Sequence, residues 1–216
     1  SGTLELTSKG VETTAIKVKK DLTIYSSTIN INTSDHGIKS GELLSVHSAN
    51  LNITASGDGM KTDVEAESIE EGDKYTSNPY AGYIYIENSN ITINAGDDGI
   101  SANSLLKINN TENHLINIIT NNGAPQRITE ASSDSADGKA IKVDGITLVV
   151  DEVETELPSK CENNYALYIL GGKFIINSNS DAISSKGNLI IDNGTFDIST
   201  GDDGIHAEYI TKINNG

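Results

Sequence analysis

The chain has 216 residues, one cysteine and a formal net charge of −16, from 31 acidic against 15 basic residues. No basic stripe is present to displace counterions from a nucleic-acid backbone or to hold an anionic membrane surface, which argues against both partners. Apolar residues make up 36%, and the polar remainder is rich in Asn, Ser, Thr and Asp rather than Lys and Glu, unlike a disordered acidic tail.

Cys161 has no cysteine to pair with, no apolar run is long enough to span a bilayer, and the N-terminus lacks a charged-then-apolar leader pattern. In chain order, alternating runs appear at "STININ" (27–32), "ANLNIT" (49–54), "SNITIN" (89–94) and "GKFIIN" (172–177), and helical spacing is not sustained anywhere. β-Branched residues at a period of two predict an all-β chain.

Between these runs a short motif recurs: "TSDHGI" (33–38), "ASGDGM" (55–60), "NAGDDGI" (94–100), "SNSDAI" (178–183) and "STGDDGI" (199–205). Aligning the copies on their last residue gives anchors at Ile16, Ile38, Met60, Ile100, Ile141, Ile183 and Ile205. After Ile16 apolar residues fall at Leu22, Ile24, Ile29 and Ile31; the same offsets hold for Leu44, Val46, Leu51 and Ile53 after Ile38, and for Leu189, Ile191, Phe196 and Ile198 after Ile183. A unit of about 22 residues with two alternating strands and a short third cannot bury a face alone, so it must stack on its neighbours. The expectation is a single-stranded parallel β-helix forming one domain over 1–216, with coils about 4.8 Å apart. Longer anchor intervals place three inserted loops near 64–81, 121–137 and 145–164. The strand-like "ITLVV" at 146–150 leaves the third as either a loop or a degraded coil.

Stacking turns the motif into a ladder. Two residues before the anchor the column reads His36, Asp58, Asp98, Lys139, Asp181 and Asp203; one step earlier it contains Asp35, Asp97 and Asp202, with Asp137 close by. Carboxylates at coil spacing repel by roughly 3 kcal/mol per pair at an effective dielectric near 20. Ca²⁺ would offset this, since it takes hard oxygens from carboxylates and turn carbonyls, and Gly37, Gly59, Gly99 and Gly204 would give such turns backbone freedom. Thiolate and imidazole ligands are nearly absent from the repeat, which disfavours zinc. The competing reading of each Asp-Gly is turn chemistry, with the side chain capping its own backbone.

The coils "SDAISSKGNLIIDNGTFDISTGDDGI" and "DDGIHAEYITKINNG" resemble the calcium-binding, carbohydrate-binding right-handed β-helix proteins of clostridia and related bacteria, themselves similar to pectate lyases. The resemblance spans nearly the whole chain. It implies a right-handed helix, extracellular or cell-surface display, calcium held between coils by aspartates, and plant cell-wall polysaccharide (cellulose or acidic pectin such as polygalacturonate) as partner. The matching aspartates are Asp35, Asp58, Asp97, Asp98, Asp181, Asp202 and Asp203; His36 and Lys139 interrupt their column. An ion between protein and uronate carboxylates would let an acidic chain hold an acidic polymer.

Alternation with Ile84, Ile86, Leu167 and Ile169 inward sends Tyr83, Tyr85 and Tyr168 outward, and Lys107 shares the offset of Tyr85 one coil on. These four are the candidate carbohydrate contacts; outward tyrosines are also ordinary strand formers. Tyr75 and Tyr80 in the first insertion are weaker candidates. A lyase needs a base beside the uronate carboxyl and a cation for the developing charge. Arg127 and lysines 39, 61, 107, 142 and 173 are available, but none lies in a recognisable base motif, and His36, His47, His114 and His206 form no triad. The function expected is calcium-dependent polysaccharide binding, with a pectate-lyase-like enzyme and a structural surface adhesin as rivals.

Overall fold

The computed structural model describes residues 2–64, 81–124, 138–150, 153–156 and 165–215, with side chains described outside 147–156. Among the described residues there is no helix; three parallel seven-stranded sheets form a β-helix of seven coils. Each coil contributes one strand to a long sheet (such as Asn50–Ala55 and Asn90–Ala95), one to a short sheet (Met60–Thr62, Ile100–Ala102) and one to a third sheet (Tyr83–Glu87, Leu105–Asn109).

The anchors stack as the repeat predicts, in the unbroken register Ile16, Ile38, Met60, Ile100, Ile141, Ile183, Ile205. In the third sheet Leu22, Leu44, Ile84, Leu106, Leu167 and Leu189 make a second column. In the long sheet Ile31, Ile53, Ile93, Ile118, Ile176 and Ile198 make another. The cause is the period of two: every inward residue meets its counterpart one coil away, and all but the terminal members are buried. Burying each such side chain contributes about 1.5–3 kcal/mol. Phe174 and Phe196 extend the pattern by stacking, with ring centroids 4.7 Å apart.

Inward hydroxyls at strand ends satisfy the turns between sheets. Ser40 Oγ donates to Leu43 O at 2.8 Å, Ser185 Oγ to Asn188 O at 3.1 Å, and Ser178 Oγ to Ser180 O at 3.0 Å. The third insertion leaves the stack: Thr147–Val150 pairs antiparallel with Val153–Glu156, so this part is a hairpin and not a further coil. Most of the first two insertions, with Tyr75, Tyr80, Arg127 and Asp137, and also Cys161, lie outside the described residues.

Candidate functional sites: an acid ladder and an outward aromatic face

The acid ladder runs along the corner that leads from the long sheet into the short one. Its backbone stacks as expected, each coil donating to the next: Gly37 N to Asp58 O, Gly59 N to Asp98 O, Gly99 N to Lys139 O, Ala140 N to Asp181 O and Ala182 N to Asp203 O. A second line of bonds runs back through side chains. Asp98 N–H donates to Asp58 Oδ1 at 3.1 Å, Lys139 N–H to Asp98 Oδ1 at 2.9 Å, and Asp203 N–H to Asp181 Oδ1 at 3.3 Å. One oxygen of each inner carboxylate is thus held by the following coil.

The other oxygen meets an ammonium group. Lys61 Nζ lies 2.7 Å from Asp58 Oδ2, Lys142 Nζ 2.6 Å from Asp98 Oδ2, and Lys139 Nζ 2.9 Å from Asp181 Oδ2. Burial works against the Lys142 ammonium, but Asp98 and Asp144 outweigh it and hold its pKa well above the ordinary lysine value. Asp58 does the same for Lys61. Burial pushes Asp98 up, and Lys142 cancels only part of that. The pKa of His36 is lowered by burial and then by Lys61; its Nδ1 accepts the Asp58 N–H at 3.0 Å, so it serves as an acceptor. The repulsion expected along the column is therefore offset by residues of the chain itself.

The motif glycines answer to packing rather than to backbone angle. Gly37, Gly59, Gly99 and Gly204 are absent from the residues with positive φ. A Cβ would stand 2.5 Å from Ile53 Cγ2 at Gly37, 2.5 Å from Ile93 Cγ2 at Gly59 and 2.6 Å from Ile118 Cγ2 at Gly99, whereas at Gly204 nothing lies within 4 Å. Glycine lets the core of the neighbouring coil approach the corner.

Among the described residues two groups of carboxylates could hold a metal ion: Asp58, Asp97 and Asp98, and Asp181, Asp202 and Asp203, each residue offering one oxygen within 4.8 Å of the others. They differ in fit. Asp58 and Asp98 are buried and carry two ammonium groups, so a divalent ion there would have to displace Lys61 and Lys142. In the second group Asp202 and Asp203 are exposed on the last coil, with Lys139 on Asp181 and His206 Nδ1 3.2 Å from Asp203 Oδ2. This group can take up a hard cation with less rearrangement. Asp35 stands apart from both, accepting from Thr14 Oγ1 at 2.9 Å.

The candidate carbohydrate contacts gather on the outward face of the third sheet. Tyr85, Lys107 and Tyr168 stand in direct register on three successive coils, and Tyr83 pairs with Leu105 one step along the strand. All four are half-buried, over a floor of buried Ile84, Ile86, Leu106 and Leu167. Lys107 Nζ is 5.7 Å from the Tyr85 ring centroid.

Sequence reasoning passed over two neighbours. Tyr25 and His47 stack with ring centroids 4.7 Å apart and an interplanar angle of 13°, and His47 meets Tyr85 at 5.4 Å. Ser45 Oγ lies 2.7 Å from His47 Nε2 and Glu87 Oε2 3.2 Å from its Nδ1, which fixes the imidazole. The common offset of Tyr25 and His47, each one residue after the inward Ile24 or Val46, was the available signal. The stack runs along the helix axis, so Tyr85 is flanked by His47 and Lys107 rather than offering an open ring. Along this outward register the face carries Tyr85, Lys107 and Tyr168, with Ile190 and Lys212 on the two coils beyond.

A family model described as "Carbohydrate-binding domain-containing protein" matches residues 1–204. No curated protein and no solved structure matches the chain. The match covers nearly all of the sequence, and the chain belongs to that family of carbohydrate-binding domain-containing proteins.

Proposed function

We propose that the chain is a non-catalytic module that binds plant cell-wall polysaccharide, displayed outside the cell or on its surface, and that the third sheet holds an acidic pectin such as polygalacturonate. The observation that carries this reading is the consecutive register of Tyr85, Lys107 and Tyr168, which sets an ammonium group between two phenols on a ridge along the helix axis. Coil spacing of about 4.8 Å repeats these groups at intervals suited to successive sugar units. An ammonium supplies charge for a uronate carboxylate, and the phenols supply hydrogen bonds.

Calcium belongs to this reading at Asp181, Asp202 and Asp203, where a bound ion would keep coordination positions for water or a uronate oxygen. At Asp58, Asp97 and Asp98 the lysines already supply the cationic charge.

The lysines of the ladder do not support lyase chemistry. A lysine acting as base needs a lowered pKa, and those of Lys61 and Lys142 are raised by their carboxylate partners. Lys39 is likewise tied to Asp63.

The test is retention on immobilised polygalacturonate, with calcium and with EDTA. Lys107→Ala combined with Tyr168→Ala should weaken retention about tenfold, the loss of roughly 1.4 kcal/mol. EDTA should lower retention of the wild type if the ion bridges protein and polymer. Unchanged retention by the double variant would favour the rival reading, in which the helix is a rigid spacer.

A further inference from the structure

The long sheet carries a surface that neither the acid ladder nor the aromatic ridge uses. On three successive coils its outward positions read Thr28, Asn30, Asn32; Asn50, Asn52, Thr54; and Asn90, Thr92, Asn94. These nine residues form a three-by-three grid in register, composed only of Asn and Thr. On a chain of net charge −16 these nine positions hold no charged side chain; the carboxylate that borders them in register is Glu5, which accepts from Asn30 Nδ2 on the adjoining coil.

The amides are ordered before any ligand arrives. Asn52 Nδ2 donates to Asn30 Oδ1 at 2.7 Å, Asn90 Nδ2 donates to Asn50 Oδ1 at 3.0 Å, and Asn90 Oδ1 in turn accepts from Leu115 N–H at 2.9 Å. A primary amide has two N–H donors and two acceptor lone pairs. Each laddered Asn thus keeps hydrogen-bonding capacity beyond its bond to the neighbour. Rows recur at about 4.8 Å between coils and about 7 Å along each strand, since alternate residues face outward. The result is a lattice of neutral donors and acceptors in which Asn30, Asn50, Asn52 and Asn90 are already held by hydrogen bonds, so these four have less side-chain freedom to lose on binding.

We propose that this grid is a second glycan-binding face, for the ordered surface of an uncharged polysaccharide. Charge complementarity selects that occupant. A polyuronate would find no cation in the grid and would face an acidic chain, whereas neutral sugar hydroxyls can both donate to and accept from amides and threonine hydroxyls. A flat lattice suits an insoluble, regularly packed polymer, because many weak contacts made at once add as avidity. The inference rests on the carbohydrate-binding reading of the chain, but it uses a different face from Lys107.

The experiment is a depletion assay of the full chain on microcrystalline cellulose, run beside retention on polygalacturonate. The variant is Thr54→Lys with Thr92→Lys, chosen so that no amide ladder bond is removed. It should bind cellulose about tenfold more weakly than the wild type while holding polygalacturonate at least as well as before, since the added ammonium groups attract a polyanion. Lys107→Ala should do the reverse. Equal cellulose binding by wild type and the Thr54→Lys/Thr92→Lys variant would overturn the inference, as would a wild type that holds polygalacturonate but not cellulose. A wild type that binds neither polymer would overturn the third-sheet reading as well. If the double variant fails to fold, Thr92→Lys alone carries the same expectation.

Discussion

Lys142→Met should lower the stability of the β-helix by about 3–5 kcal/mol, the usual cost of breaking a buried ion pair from one side. The Lys142 and Asp98 side chains are only 16% and 9% exposed, and the pair is 2.6 Å apart. Removing the ammonium leaves the Asp98 carboxylate with backbone donation from Lys139 and the negative charge of Asp58 nearby. Chemical denaturation of wild type and variant at neutral pH measures the difference. The pH dependence has a definite sign. Burial already raises the pKa of Asp98, and loss of Lys142 raises it further. A carboxyl raised in the folded state contributes stability that is present below the unfolded pKa, near 3.9, and is lost as pH rises through the folded value. The deficit of the variant should therefore shrink on acidification. A deficit that is constant with pH would mean that Lys142 acts only through packing.

Gly99→Ala should cost about 1–3 kcal/mol, as overpacking a close-fitted core does. The added methyl would press on Ile118 Cγ2 at 2.6 Å and on the Ala140 carbonyl, both part of the next coil. Gly204→Ala is the internal control. It has the same motif and the same offset, but lies on the last coil with nothing within 4 Å, so its effect should stay within about 0.5 kcal/mol. Equal effects at the two positions would indicate a role in backbone conformation, since space differs between them and motif does not. The comparison separates the packing account of the motif glycines from one based on ion-coordinating turns.

The repeat was readable in the sequence because its cause is local. Alternation fixes which residues point inward, and the spacing of Ile16, Ile38 and Met60 fixes which of them meet, so the aliphatic columns follow from counting. The carboxylate column was readable for the same reason. Its countercharges were less so. Lys61 lies three residues after Asp58, but alignment placed Lys139 only as an interruption of the column, and it does not show that the Lys139 side chain reaches Asp181 on the following coil or that Lys142 reaches back to Asp98. The motif glycines were open to two accounts, and only the position of Ile118 against Gly99 separates them. Likewise, alternation sends Tyr85 outward, but whether its ring is open or flanked depends on His47 and Lys107 in neighbouring coils.

Backbone hydrogen bonds between parallel strands set the coil spacing, and that spacing converts alternation along each strand into lattices on the outer surface. One lattice carries an ammonium between phenols, and the other carries neutral amides and hydroxyls. In the ladder, the pKa values of Lys61 and Lys142 are raised by their aspartates, the opposite of what a lysine base needs.

Whether the module binds polysaccharide without cleaving it is decided by incubating the wild-type chain with polygalacturonate and calcium. Bound polymer and the ultraviolet absorbance of unsaturated product are followed in the same sample. The account predicts saturable binding with absorbance that stays flat. Steady growth of absorbance would contradict it and establish a lyase.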